Sequence, residues 1–119
     1  MDYTSRNHSK YLLMTHLIFV CKYRKKLLVK FGNEIKQIFY DIADEKDLSI
    51  IEMEVDKDHI HLLVQYNPNQ SILEIVRHFK QISTYRIWRQ NNNHLILKNN
   101  FGKRKHFGVM DISLVVLEM

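Results

Sequence analysis

Hydrophobic positions along the first half of the chain follow two periods, and each period predicts a type of element. Residues 11–21 are rich in Leu, Ile, Phe and Val and predict a first strand. Residues 33–46 carry apolar side chains at helical spacing and predict an amphipathic helix. Residues 48–55 read as a half-buried strand, and the short turn 56–58 joins it to an antiparallel neighbour over residues 59–66. The apolar positions of the helix are Ile35, Ile38, Phe39, Ile42 and Ala43.

A second amphipathic helix follows a break in the chain at residues 67–70, which include the only proline. Ser71 has the character of an N-cap, and Glu74 stands at capping-box spacing, so the helix is expected to begin at Ile72 and to end at residues 91–93. Its apolar stripe is Ile72, Ile75, Val76, Phe79, Ile82 and Ile87, and its basic residues are Arg77, Lys80, Arg86 and Arg89.

The predicted element order is β-α-β-β-α, which one more strand would complete. This order is typical of an α+β, ferredoxin-like fold, in which two helices pack on one face of an antiparallel sheet. A chain of 119 residues supports one domain over residues 1–119. The hydrophobic share of 45% excludes a mainly disordered chain.

Charge and cysteine content narrow the function classes. Lys and Arg number 18 against 13 Asp and Glu, which gives a net charge of +5 and favours a polyanionic partner. Cys21 is the only cysteine, so an intrachain disulfide and a cysteine-based zinc cluster are excluded; we expect it in the core of a protein in the reducing cytoplasm. The apolar run ending at Cys21 is too short for a bilayer, and the first residues lack a signal-peptide pattern, so we expect a soluble protein.

The segment Asp58-His59-Ile60-His61-Leu62 carries the most specific candidate chemistry. Side chains alternate along a strand, so His59 and His61 are expected on one face of the sheet. Two imidazoles would form part of an open metal site, although two ordinary surface histidines give the same pattern. Asp58 is expected to face away from His59, which favours a turn residue or a hydrogen-bond acceptor over a ligand. His16 either borders the site or is an ordinary sheet histidine.

The first strand runs directly into a basic turn. This turn consists of Lys22, Tyr23, Arg24, Lys25 and Lys26. One tyrosine among four cations favours phosphate contacts with base stacking over a merely solvated loop. Arg77, Lys80 and Arg86 of the second helix are expected to contribute to DNA binding as well.

The histidine pair, the basic turn, the segment 51–58 and the β-α-β-β-α order together resemble the small single-tyrosine HUH transposases, the IS200-like family of insertion sequences. The likeness covers about residues 8–100. It implies a homodimer that recognises hairpins at transposon ends and cuts and rejoins single-stranded DNA. It also implies Mg²⁺ or Mn²⁺ on His59 and His61, which would align a phosphodiester for attack by a tyrosine hydroxyl.

The tail departs from this family. The family's nucleophilic tyrosine lies on a helix after a segment similar to F-W-x-x-x-x-F-W-S-D-G-Y-F, and residues 101–119 contain neither. We back-translated this tail with one permitted set of codons. When one T is added after the first codon, the sequence reads F-W-K-E-K-T-F-W-S-D-G-Y-F-V-S-S-I-G-D. We therefore interpret residues 101–119 as an out-of-frame tail that replaces the last strand and the nucleophile helix. The chain is expected to be catalytically inactive, and its altered tail could weaken dimerisation.

Other interpretations fit less well. A non-enzymatic nucleic-acid module on a ferredoxin-like sheet is the alternative, but such modules use sheet-face aromatic residues and a signature that is missing here. A histidine-triad hydrolase needs a third alternating histidine, and Leu63 stands at that position. Tyr85 is expected to pack or to contact DNA, because the family's tyrosine belongs to a later helix.

Overall fold

The computed structural model describes residues 12–21 and 25–90, and the backbone of residues 110–118. Four strands and two helices lie in these ranges. In chain order they are β1 (Leu13–Cys21), α1 (Leu28–Glu45), β2 (Ser49–Val55), β3 (His59–Tyr66), α2 (Ile72–Arg89) and β4 (Met110–Glu118).

The four strands form one antiparallel sheet in the order β2-β3-β1-β4. This order, with a helix after β1 and another after β3, confirms the predicted ferredoxin-like architecture. The tail that we interpret as out of frame contributes β4, which pairs with β1 at an edge of the sheet. It therefore occupies the position that the β-α-β-β-α order leaves for a last strand.

The hydrophobic core lies between the two helices and one face of the sheet. Along β3 the side chains alternate between buried and half-buried, beginning with half-buried His59. Phe19 of β1 packs edge-on against Phe39 of α1 and Phe79 of α2, with ring centroids 5.5 and 5.8 Å away. The strands thus place every second residue among these aromatic rings, and the residues between them on the opposite face.

Helix α1 begins five residues earlier than the sequence pattern predicts, at Leu28. Leu27 stands at the N-cap without a side-chain hydrogen bond, and the first turn has no acidic residue. The backbone N–H of Leu28 instead donates to the carbonyl of Lys57, at 3.0 Å. The prediction was wrong because a tertiary contact, and not a local capping residue, satisfies this end of the helix.

The other helix ends follow local rules more closely. Helix α2 begins at Ile72, and the Ser71 hydroxyl accepts from the Glu74 backbone N–H at 3.3 Å, which confirms the predicted N-cap. The helix ends at Arg89, and residues 91–93 lie outside the described ranges. Neither α1 nor α2, the helices within the described ranges, is long and apolar enough to cross a membrane.

Candidate metal and nucleic-acid site

His59 and His61 lie on the same side of β3, as the alternating pattern predicts. We call the sheet face away from α1 and α2 the histidine face. Ile60, between the two histidines, and Leu62, after the second, are fully buried on the core side. His16 of β1 is also on the histidine face, because its buried neighbours Thr15 and Leu17 point into the core. The sheet therefore brings three imidazoles to one surface.

Each histidine of the pair has one ring nitrogen beside a polar neighbour. His59 Nδ1 lies 3.0 Å from the Asp58 carboxylate, and His61 Nε2 lies 2.9 Å from His16 Nδ1. We expected Asp58 to face away from His59, and this was wrong. Asp58 belongs to the turn before β3, where strand alternation does not apply. Its contact is that of a carboxylate that orients an imidazole.

An acidic strand edge adjoins His61. Glu54 of β2 pairs directly with His61, and Glu52 pairs with Leu63. These four residues line a shallow depression of about 220 Å³ on the histidine face. Sequence reasoning missed both glutamates, because only the strand register shows which residues of β2 stand next to the histidines. Within the described ranges, no three His, Cys, Asp or Glu side chains are grouped closely enough to hold a metal ion.

The basic turn begins next to His59. The Cys21 backbone N–H donates to the Asp58 carbonyl at 2.7 Å, and the preceding Val20 pairs with His59. Lys22, Tyr23 and Arg24 lie outside the described ranges. Lys25 is half-buried and Lys26 is exposed, just before α1.

Lys57 is a further cation at this end of the sheet. Its side chain is exposed, and its carbonyl accepts from Leu28 N–H, so it lies against the start of α1. Sequence reasoning missed Lys57, because its place beside the basic turn depends on this long-range hydrogen bond.

The predicted basic residues of α2 lie on the helical layer, across the sheet from the histidine face. On α2, Arg77 is exposed and forms an ion pair with Glu74, and Lys80 is half-buried. Arg86 Nη2 donates to Glu45 of α1 at 2.7 Å, and this hydrogen bond lowers the pKa of the Glu45 carboxyl and raises that of Arg86. These cations are therefore not part of the surface that carries His59.

None of the tyrosines in the described ranges lies on the histidine face. Tyr85 is 46% exposed on α2, with the Arg89 guanidinium 4.7 Å from its ring centroid. Tyr40 is exposed on α1, and Tyr66 is buried with its hydroxyl 3.0 Å from Thr15 Oγ1. Tyr3, Tyr11 and Tyr23 lie outside the described ranges.

Cys21 is a core residue, as predicted, with 1% of its surface exposed. Burial raises the pKa of its thiol to about 11, and the nearby Asp58 charge raises it further against a hydrogen bond with the Leu27 backbone. The thiol therefore stays protonated at neutral pH and is a poor nucleophile or metal ligand.

Comparisons with known proteins point to one family. The sequence model of one family, described as Transposase IS200 like, matches residues 9–113. The ISDra2 transposase TnpA of Deinococcus radiodurans is 40% identical over 79 residues, which are 66% of this chain and 56% of that protein. A Salmonella typhimurium protein, the transposase for insertion sequence element IS200, is 26% identical over 92 residues, or 75% of this chain and 59% of its own length.

Similarity of fold extends further along the chain. The crystal structure of a Deinococcus radiodurans R1 protein assigned as a transposase superimposes with a TM-score of 0.77 at 27% identity. The superposition covers 100% of this chain and 85% of the Deinococcus chain. By contrast, the matched segments span little more than half the length of the curated relatives.

Proposed function

Because this chain belongs to the IS200-like transposase family, we propose that it is of the single-tyrosine HUH type and binds hairpin-forming single-stranded DNA at transposon ends, as a homodimer. The observation that carries the proposal is the position of His59 and His61 on one sheet face, next to the point where the basic turn leaves β1. This arrangement supports the proposal because DNA cleavage chemistry needs metal-binding groups close to groups that hold the phosphate.

The charges around the histidines favour one path for the DNA backbone. Glu52 and Glu54 stand on the β2 side of His61, whereas Lys25, Lys26 and Lys57 belong to the two segments at the His59 end of β3. Phosphates are repelled by the carboxylates and attracted by the lysines. The single strand therefore passes along the turn end of the histidine face, and the predicted role of Tyr23 is to stack on one of its bases.

The cations of α2 act at a second place. Arg77, Lys80 and Arg86 lie on the helical layer, so they contact a part of the hairpin that reaches around the sheet. Arg86 contributes less than an unpaired arginine would, because Glu45 already neutralises part of its charge. The basic turn is the main source of affinity in this proposal.

The residues fit a weakly held divalent cation. His59 and His61 would hold it, and their neighbours Asp58 and His16 orient the two rings. Two imidazoles fill only part of the coordination shell of such an ion. Because Mg²⁺ and Mn²⁺ prefer oxygen ligands, water and oxygens of the DNA would fill the remaining positions. When bound, such an ion supplies positive charge to the phosphate oxygens. The protein itself binds the strand, orients the two imidazoles and keeps Glu54 beside them.

The 119-residue chain is proposed to lack strand transfer. A phosphodiester at His59 and His61 needs an aligned nucleophile on the same face, and the described tyrosines are on the helical layer or in the core. The out-of-frame tail would account for the missing nucleophile, and it would also weaken the dimer. The chain then retains DNA and metal binding alone.

The non-enzymatic, RNA-recognition type of module is disfavoured by the histidine face. Such modules stack bases on aromatic side chains of the sheet. Along β1, β2 and β3 the aromatic residues other than histidine, Phe19 and Tyr66, are buried on the core side. Histidines and glutamates stand where the stacking residues would be.

The test is the salt dependence of binding to a labelled DNA hairpin with a single-stranded flank. Replacing Lys22, Arg24, Lys25 and Lys26 by glutamine should weaken binding and lower the slope of log K against log salt by about 0.7 for each lost single-strand phosphate contact. Fluorescence anisotropy at several salt concentrations measures both quantities.

A matched pair of variants separates position from net charge. Lys25→Gln with Lys26→Gln removes two charges from the segment between β1 and α1, and Lys36→Gln with Lys46→Gln removes two charges from α1 and its C-terminal end. The first pair should lower the slope by about 1.4 and the second should leave it nearly unchanged. Equal effects of the two pairs would remove the basic turn from the interface. No preference for the hairpin over duplex DNA would contradict the proposed hairpin recognition.

A further inference from the structure

The contact between His16 and His61 has a consequence for the metal site. His16 Nδ1 and His61 Nε2 are 2.9 Å apart, and the two rings are tilted by 52° with centroids 5.0 Å apart. A separation of 2.9 Å is a hydrogen-bond distance, so one nitrogen carries a proton and the other accepts it. Both residues are half-buried on the histidine face, which shields the bond from water.

Two tautomer arrangements satisfy this bond. In the first, His61 Nε2–H donates to His16 Nδ1, and both neutral rings carry their proton on Nε2. In the second, His16 Nδ1–H donates to His61 Nε2, and both rings carry it on Nδ1. Neutral histidine side chains are more stable with the proton on Nε2, so the first arrangement is favoured at both rings.

The first arrangement leaves His61 Nδ1 without a proton. A histidine that binds a metal through one nitrogen almost always donates its other N–H to an acceptor, which fixes the tautomer and the ring orientation. Asp58 can accept from His59 Nδ1–H in the same way, which leaves His59 Nε2 as the ligand atom. The two histidines therefore have separate supporting residues on separate elements.

We propose that His16 is a positioning residue for the metal site: it accepts a hydrogen bond from His61 Nε2–H and so makes His61 Nδ1 the ligand atom. The inference rests on the proposed function, because it concerns the cation on His59 and His61. It assigns to β1 a role that the His59-Ile60-His61 segment alone does not contain. Leu63 faces His16 across the strand pair, so the hydrogen bond runs diagonally to His61.

The first measurement uses the metal-free protein. The imidazole nitrogen shifts of His61, read by long-range ¹⁵N–¹H correlation at mildly alkaline pH, should show a protonated Nε2 and an unprotonated Nδ1. His16→Leu should release His61 from this single tautomer, so that a share of the Nδ1–H form appears beside a majority of the Nε2–H form. A protonated Nδ1 on His61 in the unaltered chain would overturn the assignment, whether or not the protein binds metal.

The second measurement is Mn²⁺ affinity by titration calorimetry. His16→Leu should weaken binding about tenfold or more, as is usual when a residue supporting a metal ligand is lost. His16→Asn keeps an acceptor near the position of Nδ1 and should recover most of the affinity. His78→Leu, which removes a histidine from the helical layer, is the matched control and should have no effect.

The outcomes distinguish this inference from the proposed function. Unchanged or tighter Mn²⁺ binding in His16→Leu would show that His16 is not a support and would overturn the inference while leaving the metal site standing. No Mn²⁺ binding by the unaltered chain would refute the metal site, and the tautomer measurement would still decide the hydrogen bond. Thermal unfolding of each variant checks that lost affinity does not reflect lost structure.

Discussion

Each histidine of the pair uses one ring nitrogen within the protein and keeps the other for a possible ligand. Asp58 is one residue before His59, whereas His16 comes from a different strand. Loss of either support would change the ring orientation without removing a proposed ligand atom, and such changes typically weaken metal binding about 10- to 100-fold. The site is thus a property of four side chains on two strands and one turn.

We expect that replacing His59 and His61 together by alanine abolishes Mn²⁺ binding. Two imidazoles are the protein's whole contribution of nitrogen ligands in this proposal, and the carboxylates beside them are not grouped closely enough to hold an ion alone. Calorimetry on the double variant is the measurement, with His78→Ala as the control. Unchanged Mn²⁺ affinity in a folded double variant would show that the ion binds elsewhere.

At the scale of elements, the two ends of α1 are stabilised in different ways, the first by a distant segment and the second by a local backbone motif. Its first turn depends on the Lys57 carbonyl. Its last turn closes with Asp47 at a φ of 59°, where Leu48 N–H donates to the Ala43 carbonyl at 2.9 Å. This backbone pattern is a Schellman motif, although an aspartate stands where glycine is usual.

Gly32→Ala should stabilise the protein, because glycine inside a helix costs about 0.8–1.0 kcal/mol relative to alanine. A Cβ at this position would lie 3.5 Å from Val55 Cγ1 of β2, which is an ordinary van der Waals contact. We therefore expect the free energy of unfolding to rise by roughly 0.5–1 kcal/mol in a urea titration.

Lys30→Ala is the control for this prediction. It changes an exposed residue of the same helix between two good helix formers, so it should leave stability nearly unaltered. A fall in stability for Gly32→Ala would mean that α1 packs against β2 too closely to accept a methyl group.

At the scale of the whole molecule, the sheet separates two surfaces with different roles. The histidine face carries the imidazoles and the glutamates, and the helical layer carries Tyr85 and the arginines of α2. Tyr40 and Tyr85 lie on the helical layer, across the sheet from His59 and His61. In the proposed function, a nucleophile for a phosphate at these histidines would come from a segment on the histidine face.

The chain as given should form no covalent adduct with a labelled DNA hairpin in the presence of Mg²⁺ or Mn²⁺. Adding one nucleotide after codon 101 should restore the F-W-x-x-x-x-F-W-S-D-G-Y-F segment, and with it the reading frame of the tyrosine helix that follows this segment in the family. The restored protein should then give a protease-sensitive, slowly migrating band on a denaturing gel.

Two results would contradict this prediction. An adduct formed by the 119-residue chain and lost on Tyr85→Phe or Tyr23→Phe would identify a nucleophile that we have dismissed. Coding DNA that carries no family pattern in the neighbouring frame would remove the frameshift interpretation of residues 101–119.

Local periodicity in the sequence was enough to determine β3, the start of α2 and the shared face of His59 and His61. Strand alternation and the Ser71 cap are properties of neighbouring residues, so they do not depend on the rest of the fold. The element order likewise predicted the ferredoxin-like sheet.

Only the tertiary structure decided where α1 begins, which residues surround His61 and on which side the arginines of α2 lie. The start of α1 depends on the Lys57 carbonyl. The surroundings of His61 depend on the strand registers that bring Glu54 and His16 close to it. The side on which the arginines lie depends on which face of the sheet the helices cover. Each of these joins residues far apart in the chain, and strand register and helix packing are fixed by burial of the whole core rather than by any local pattern.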